Sequence, residues 1–202
     1  MKRLWLFTLP FSSLITVSAC GSSMQTPDIK HNPNPKMRYE ITLTLKDAPG
    51  PFDSVEGYMS YEVTNEQCAP LEKFAGIYRT PPSQHPSFSL SRIRSNEYKG
   101  VVYLDLLQDE DYYGLGVCHW TPTFVGVQLK AGKMAFSPYI SVDQVISQQP
   151  SVQYFYRSDY HVDSSNDGVS SPSILGASAT EYLEQHPELR FEITMNAKEC
   201  FE

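Results

Sequence analysis

Residues 37–45 read MRYEITLTL and carry the clearest structural pattern in this chain. Apolar side chains occupy every second position, and polar or charged side chains fill the positions between them. The apolar set is Tyr39, Ile41, Leu43 and Leu45. Because successive side chains of a strand point to opposite faces, this period of two predicts a β-strand with one buried face.

Similar apolar stretches return along the rest of the chain. They cover residues 59–63, 88–94, 101–107, 113–120, 123–129, 134–140, 152–157 and 189–195. Turn residues separate them, including Asn96 to Gly100 and the hairpin signal Ala131-Gly132-Lys133. Ser178 and Glu181 have capping-box spacing, which predicts one short helix near residues 178–186. Short strands separated by turns indicate an all-β fold, an antiparallel β-sandwich or related barrel of about 8 strands.

The N-terminus carries an export signal. Lys2 and Arg3 provide its positive charge, and residues 4–17 form a short apolar stretch interrupted by Pro10. A bilayer-spanning helix needs roughly 20 apolar residues, so this segment is too short and too broken to cross a membrane. We therefore predict a cleaved leader.

The leader ends in Val17-Ser18-Ala19-Cys20, which resembles the lipobox of bacterial lipoproteins. The resemblance implies that Cys20 is acylated and becomes the new N-terminus. Gly21 follows in place of the Asp that retains such proteins at the inner membrane. The resemblance thus implies a cell-envelope protein held by its lipid at the outer membrane, facing the periplasm. An ordinary cleaved signal peptide is the alternative.

Three regions follow from these signals. Residues 1–19 are the signal peptide, 20–36 the lipidated N-terminus with a flexible tether, and 37–202 the β-sandwich domain. Without its leader the chain has 14 basic and 23 acidic residues, a net charge of −9. No Lys/Arg cluster offsets this charge, and nucleic acid would repel such a protein, so we expect no nucleic-acid partner.

Three cysteines remain after Cys20: Cys68, Cys118 and Cys200. An oxidising compartment permits disulfides, and an odd count leaves one cysteine over. Three pairings are open. We favour Cys68–Cys118, because each lies beside a strand signal within the domain, whereas Cys200 is two residues from the C-terminus.

Local motifs for chemistry are absent from the sequence. It contains no G-x-S-x-G elbow, no H-E-x-x-H, no Walker A loop and no G-x-G-x-x-G after a strand. The cysteines lack the close spacing of a structural zinc site. We therefore expect no enzyme, no catalytic residues, no cofactor and no metal.

Two acidic segments are candidate sites. The first consists of Asp109, Glu110, Asp111, Tyr112, Tyr113 and, further on, Trp120. It suggests an acidic–aromatic surface for a protein partner, since Tyr and Trp are favoured interface anchors. The alternatives are a cation site, or a solvated turn beside aromatics that pack inside.

The second segment, Asp163 to Gly168, imitates the opening of an EF-hand loop. Its twelfth position is Ile174, where the bidentate Glu of a calcium loop belongs. We interpret it as a polar loop, with calcium binding as the alternative.

The body of the chain resembles a group of small proteobacterial lipoproteins of the immunity-protein type. The resemblance rests on residues 47–53 (DAPGPFD), Val55-Glu56-Gly57 and residues 108–120 (QDEDYYGLGVCHW). It spans roughly residues 37–157 and suggests the periplasmic immunity proteins paired with type VI secreted phospholipases. It implies a protein that binds and inhibits a secreted antibacterial toxin, and it assigns no individual binding residue.

Two other functions stay open on the sequence alone. One is a structural or assembly lipoprotein of the cell envelope or secretion apparatus. The other is a glycan- or calcium-binding β-sandwich, in which exposed Tyr and Trp would stack on sugars.

Overall fold

A computed structural model describes residues 27–70, 82–160, 173–176 and 185–200 of the chain. The strands are β1 Arg38–Lys46, β2 Ser54–Val63, β3 Ser83–Gln84, β4 Ser87–Phe88, β5 Leu90–Arg94, β6 Glu97–Tyr103, β7 Trp120–Ala131, β8 Met134–Ser137, β9 Tyr139–Ser141, β10 Ser151–Tyr156, β11 Ser173–Leu175 and β12 Arg190–Glu199. A short helix, α1, spans Val142–Ile146.

Two sheets face each other across one core. The five-stranded sheet has the order β10-β12-β1-β6-β5, with all neighbours antiparallel. The seven-stranded sheet has the order β11-β8-β7-β2-β3, with β4 also on β2 and β9 also on β7. Its β11–β8 pair is parallel. The predicted all-β sandwich is confirmed.

Strand β1 has the alternation predicted for residues 37–45. Tyr39, Ile41, Leu43 and Leu45 are all at most 6 % exposed, and the residues between them are half-buried. They pack against the inner face of the second sheet, where Val125, Val127 and Leu129 are fully buried. The aromatic rings of Phe136, Phe155 and Phe191 close the core, with centroids 5.3–5.5 Å apart.

The Phe88 side chain packs against both sheets at one side of the sandwich. Its ring lies over Gly57 of β2 and Gly100 of β6, one glycine from each sheet. A Cβ atom at Gly57 would lie 2.4 Å from Phe88 Cζ, and one at Gly100 would lie 2.8 Å from Phe88 Cε2. Only glycine at both positions leaves room for this ring.

Strand boundaries differ from the prediction where proline and glycine intervene. Pro138 separates β8 from β9, because proline has no N–H to donate to a ladder. Such breaks raise the strand number above the expected eight. The stretch 113–120, predicted as a strand, is mostly a loop. Gly114 and Gly116 have φ angles of +72° and +112°, which an extended strand does not contain.

The helices differ as well. The helix predicted near residues 178–186 falls outside the described residues except for Gln185 and His186. The helix α1 was not predicted, although Ser141 and Gln144 form a capping box at its start. At five residues, α1 is too short to display a helical period in the sequence.

Part of the segment expected to be a flexible tether lies against the sandwich. Asn32 N donates to Leu106 O (2.7 Å), Gln108 N donates to Lys30 O (2.9 Å), and Ile29 packs against the core. The carboxylate of Asp105 accepts hydrogen bonds from the backbone N–H groups of Lys36 and Met37. The N-terminal segment is therefore held against the domain, because residues 105–108 form hydrogen bonds with several of its backbone groups.

The preferred disulfide is confirmed. Cys68 and Cys118 are bonded, with Cα atoms 5.3 Å apart, and both side chains are buried. Cys200 is a free thiol. The bond links the 3₁₀ turn Glu66–Cys68, which follows β2, to the residues that precede β7.

Candidate functional site

Residues 108–119, named here the acidic–aromatic loop, connect the β6 side of the fold to β7. The loop contains five of the six residues predicted to bind a partner, and the sixth, Trp120, opens β7. One β-bridge between Glu110 and Cys118 closes its base. The end of the sandwich that carries this loop is called the loop end. The opposite end, with the Gly132–Lys133 turn, is called the hairpin end.

Several contacts brace the loop from the 3₁₀ turn beside it. The disulfide fixes Cys118 in a small apolar cluster with Val63, Cys68 and Ala69. Asn65 Nδ2 donates to the carbonyl of Val117 (2.7 Å), and Asn65 Oδ1 accepts from the N–H of His119 (2.8 Å). The loop therefore has a defined backbone path.

Each acidic side chain of the loop has an intrachain partner. Asp109 accepts from the backbone N–H of Trp120 at 2.9 Å and lies 2.7 Å from His119 Nδ1. Asp111 Oδ1 accepts from the N–H groups of Leu115 (3.0 Å) and Gly116 (3.2 Å). These carboxylates shape the loop, and they keep its negative charge at fixed positions.

Glu110 connects the loop to the N-terminal segment. Its Oε1 lies 2.6 Å from Lys30 Nζ. The hydrogen bond and the charge of Glu110 raise the pKa of Lys30. The other carboxylate oxygen, Oε2, is buried without a hydrogen-bond partner, as is the indole Nε1 of Trp120. Two polar atoms at the loop end are therefore unpaired.

The aromatic residues lie mostly beneath the loop. Tyr112, Tyr113 and Trp120 are half-buried and pack against the disulfide cluster. The rings of Tyr112 and Trp120 meet edge to face with centroids 6.4 Å apart. The hydroxyl of Tyr112 donates to the carbonyl of Gln108 (2.6 Å). These side chains support the loop more than they project from it.

The exposed apolar residues of the loop are ones that sequence reasoning missed. Leu115 and Val117 are 54 % and 46 % exposed. They alternate with the glycines of the tip, Gly114 and Gly116, whose φ angles are positive. The sequence feature that could have identified this tip is Leu115, an apolar residue between two glycines in a polar segment. The loop thus presents a small apolar tip beside fixed carboxylates.

The alternative of a cation site finds no support in the described residues, and two other segments of interest lie outside them. Among the described residues no group of three His, Cys, Asp or Glu side chains could hold a metal ion. Cys20 and the Asp163–Gly168 segment lie outside the described residues. No helix in the described ranges is long and apolar enough to cross a membrane. Two open clefts, of about 770 and 810 Å³, are lined by no residue of the acidic–aromatic loop.

Comparison with known proteins adds no assignment. No protein-family model matches the sequence, and searches of curated proteins and of solved structures found no match.

Proposed function

We propose that this protein is a lipid-anchored lipoprotein of the bacterial outer membrane, facing the periplasm, that binds and inhibits a secreted antibacterial toxin. A secreted phospholipase is the toxin class that the sequence resemblance suggests. In this proposal the protein acts by occupying a surface of the toxin and performs no catalysis itself.

The observation that carries the proposal is the braced loop with its exposed apolar tip. Leu115 and Val117 project from a backbone that the disulfide, Asn65 and Asp111 hold in place. A binding loop that is already ordered loses little conformational entropy on association. Rigid loops with an apolar tip and polar surroundings suit insertion into a cleft of another protein.

The size of the loop sets a requirement on the interface. A stable interface buries about 800 Å² per partner and involves roughly 20–30 residues a side. Twelve loop residues cannot supply this alone. The N-terminal segment at Lys30 and the 3₁₀ turn at Glu66–Cys68 lie directly beside the loop, so they belong to the same face. The proposed interface is the whole loop end.

The proposal is tested with any toxin encoded beside the gene. Cells lacking the gene should be killed by this toxin, and the wild-type lipoprotein should restore growth. A Cys20→Ser variant tests the anchor, because it should remain unlipidated and lose attachment to the membrane. Full resistance of the deletion strain to every adjacent toxin would refute the proposal. Capture of a membrane complex in place of a single toxin would favour the assembly role.

A second candidate, glycan binding, is favoured by one separate observation. On the outer face of the seven-stranded sheet the rings of Tyr58, Phe124 and Tyr139 form a row, with successive centroids 5.9 Å apart. Tyr139 is 43 % exposed, and aromatic faces of this kind stack on sugars. Binding of peptidoglycan fragments by the wild type and its loss in Tyr139→Ala would support this function. No binding by the wild type would exclude it.

A further inference from the structure

We infer that the loop end is the membrane-facing end of this protein, and that its partner is a protein acting at the lipid surface. The inference deepens the proposed function and rests on it, because it assumes that Cys20 carries the lipid. It depends on where the N-terminal segment meets the domain.

The N-terminal segment is fastened to the loop end by backbone and side-chain contacts together. His31 and Leu107 form an antiparallel bridge, flanked by the Asn32–Leu106 and Gln108–Lys30 backbone hydrogen bonds. The Lys30 ammonium group lies 2.6 Å from Glu110. The Lys30 backbone N–H donates to the Tyr112 hydroxyl at 3.3 Å. The chain is thus attached at the base of the acidic–aromatic loop itself.

This attachment limits the distance between the lipid and the loop. Lys30 lies ten positions after Cys20. A fully extended chain advances at most about 3.6 Å per residue, so Lys30 lies within about 36 Å of the acylated cysteine. The loop is therefore held close to the bilayer.

The hairpin end has no such restraint. Strand β7 runs from Trp120 at the loop end to Ala131 beside the Gly132–Lys133 turn. At about 3.3 Å per residue, this strand separates the two ends by about 36 Å. The Ser95–Asn96 turn is also at the hairpin end, since Asn96 Nδ2 donates to Leu45 O near the end of β1. A tether attached at one end orients that end toward the membrane on average.

The negative charge of the loop indicates which kind of surface it can bind near the membrane. The loop carries Asp109, Glu110 and Asp111; Lys30 forms an ion pair with Glu110, and the His119 ring lies 2.7 Å from Asp109. A bilayer with anionic headgroups repels such a surface, so the loop does not bind lipid itself. Its apolar tip and carboxylates fit a partner protein with cationic and apolar groups that works on that bilayer.

Distance measurements on the reconstituted lipoprotein test the orientation. In a Cys200→Ser background, Leu115→Cys and Ser95→Cys each provide one labelling site at an exposed position, one at each end of the sandwich. The labelled full-length lipoproteins are placed in vesicles containing acceptor-labelled lipid. We expect energy transfer from position 115 to exceed that from position 95 at least twofold. Equal transfer, or stronger transfer from position 95, would overturn the inference.

A spacer variant tests the functional consequence. Insertion of 40 Gly/Ser residues after Gly21 lengthens the link to Lys30 from 10 to 50 residues. Effective concentration falls roughly as the −3/2 power of linker length, which gives about a tenfold decrease near the membrane. We expect unchanged affinity for soluble toxin, about tenfold weaker protection of cells, and loss of the energy-transfer difference. Unchanged protection would refute the inference and leave the toxin-binding proposal intact. Absence of toxin binding by the wild type would refute the proposed function itself.

Discussion

Asn65 and His119 are joined by a hydrogen bond of 2.8 Å from the backbone N–H of His119 to the side-chain oxygen of Asn65. The amide nitrogen of Asn65 also donates to the carbonyl of Val117. One side chain from the end of β2 thereby fixes both flanks of Cys118 and sets the exit of the acidic–aromatic loop. These two hydrogen bonds give the loop an ordered backbone on either side of Cys118.

The first prediction concerns this clamp. Asn65→Ala removes two hydrogen bonds and should lower the free energy of unfolding by about 1–2 kcal/mol. Asn65→Asp keeps the acceptor for His119 and loses the donor to Val117, so its loss should be intermediate. Urea denaturation of the wild type and the two variants measures the order of their free energies of unfolding. Equal stability of all three would show that the clamp contributes nothing.

The disulfide should stabilise both the fold and the loop. Replacing Cys68 and Cys118 together by Ser should cost about 2–5 kcal/mol, because the unfolded chain gains the entropy of the opened loop. The bond closes a sequence separation of 50 residues. Cys200→Ser is the matched control and should leave stability unchanged, since Cys200 is free. Thermal unfolding with and without reductant checks this. A double variant whose melting temperature still falls on addition of reductant would contradict the assignment of the bond.

The glycines beneath Phe88 should be intolerant of a methyl group. Gly57→Ala places Cβ 2.4 Å from Phe88 Cζ and should destabilise the fold by about 1–3 kcal/mol through overpacking. In a Phe88→Leu background the same substitution should cost much less, because the smaller side chain leaves room. A double-mutant cycle by chemical denaturation measures the coupling. Additive losses would mean that the two residues do not compete for space.

Alkaline pH should weaken the fold through its buried tyrosines. Burial raises the pKa of Tyr61, and also the pKa values of Tyr39, Tyr58 and Tyr160, above the ordinary value near 10. A group with a raised folded-state pKa contributes full stability below its unfolded pKa and loses it as pH rises through the folded value. The contribution of these tyrosines to stability should therefore be constant up to about pH 9 and fall above about pH 10.

The phenolate absorbance near 295 nm reports this titration directly. In the folded protein some tyrosines should ionise only together with unfolding, whereas in denaturant all should ionise near pH 10. Tyr61→Phe should reduce the alkaline loss, although it also removes the hydrogen bond from Tyr61 to the carbonyl of Tyr103. Identical titration curves for the folded and the denatured protein would contradict the prediction.

The strands were predictable wherever one face of a strand is buried and the other is not. In β1 and β12 the buried and half-buried residues alternate strictly over most of each strand, so periodicity alone identifies both. The disulfide pairing was also predictable, because its cysteines flank strong strand signals. The short pieces β3, β4 and β9 were not, since two or three residues display no period.

The sequence drew attention to the acidic–aromatic loop but did not reveal its exposed apolar tip. The aromatic residues were expected as anchors, yet Tyr112, Tyr113 and Trp120 pack against the disulfide cluster. The tip formed by Leu115 and Val117 depends on positive φ angles at Gly114 and Gly116. The surrounding sequence has the pattern of a strand, so it does not predict these angles. The fastening of Lys30 to Glu110 spans 80 residues of sequence, and no local pattern encodes such a contact.

The affinity of the adjacent toxin for two matched variants tests the central claim most directly. Leu115→Asp changes the loop tip, whereas Ile93→Asp changes β5, and the two side chains are almost equally exposed at 54 % and 52 %. Both variants should fold and melt like the wild type. We predict that Leu115→Asp weakens toxin binding at least about thirtyfold, a loss of about 2 kcal/mol, and that Ile93→Asp leaves the dissociation constant unchanged. Wild-type affinity in Leu115→Asp, or an equal loss in both variants, would contradict the claim that the loop is the binding surface.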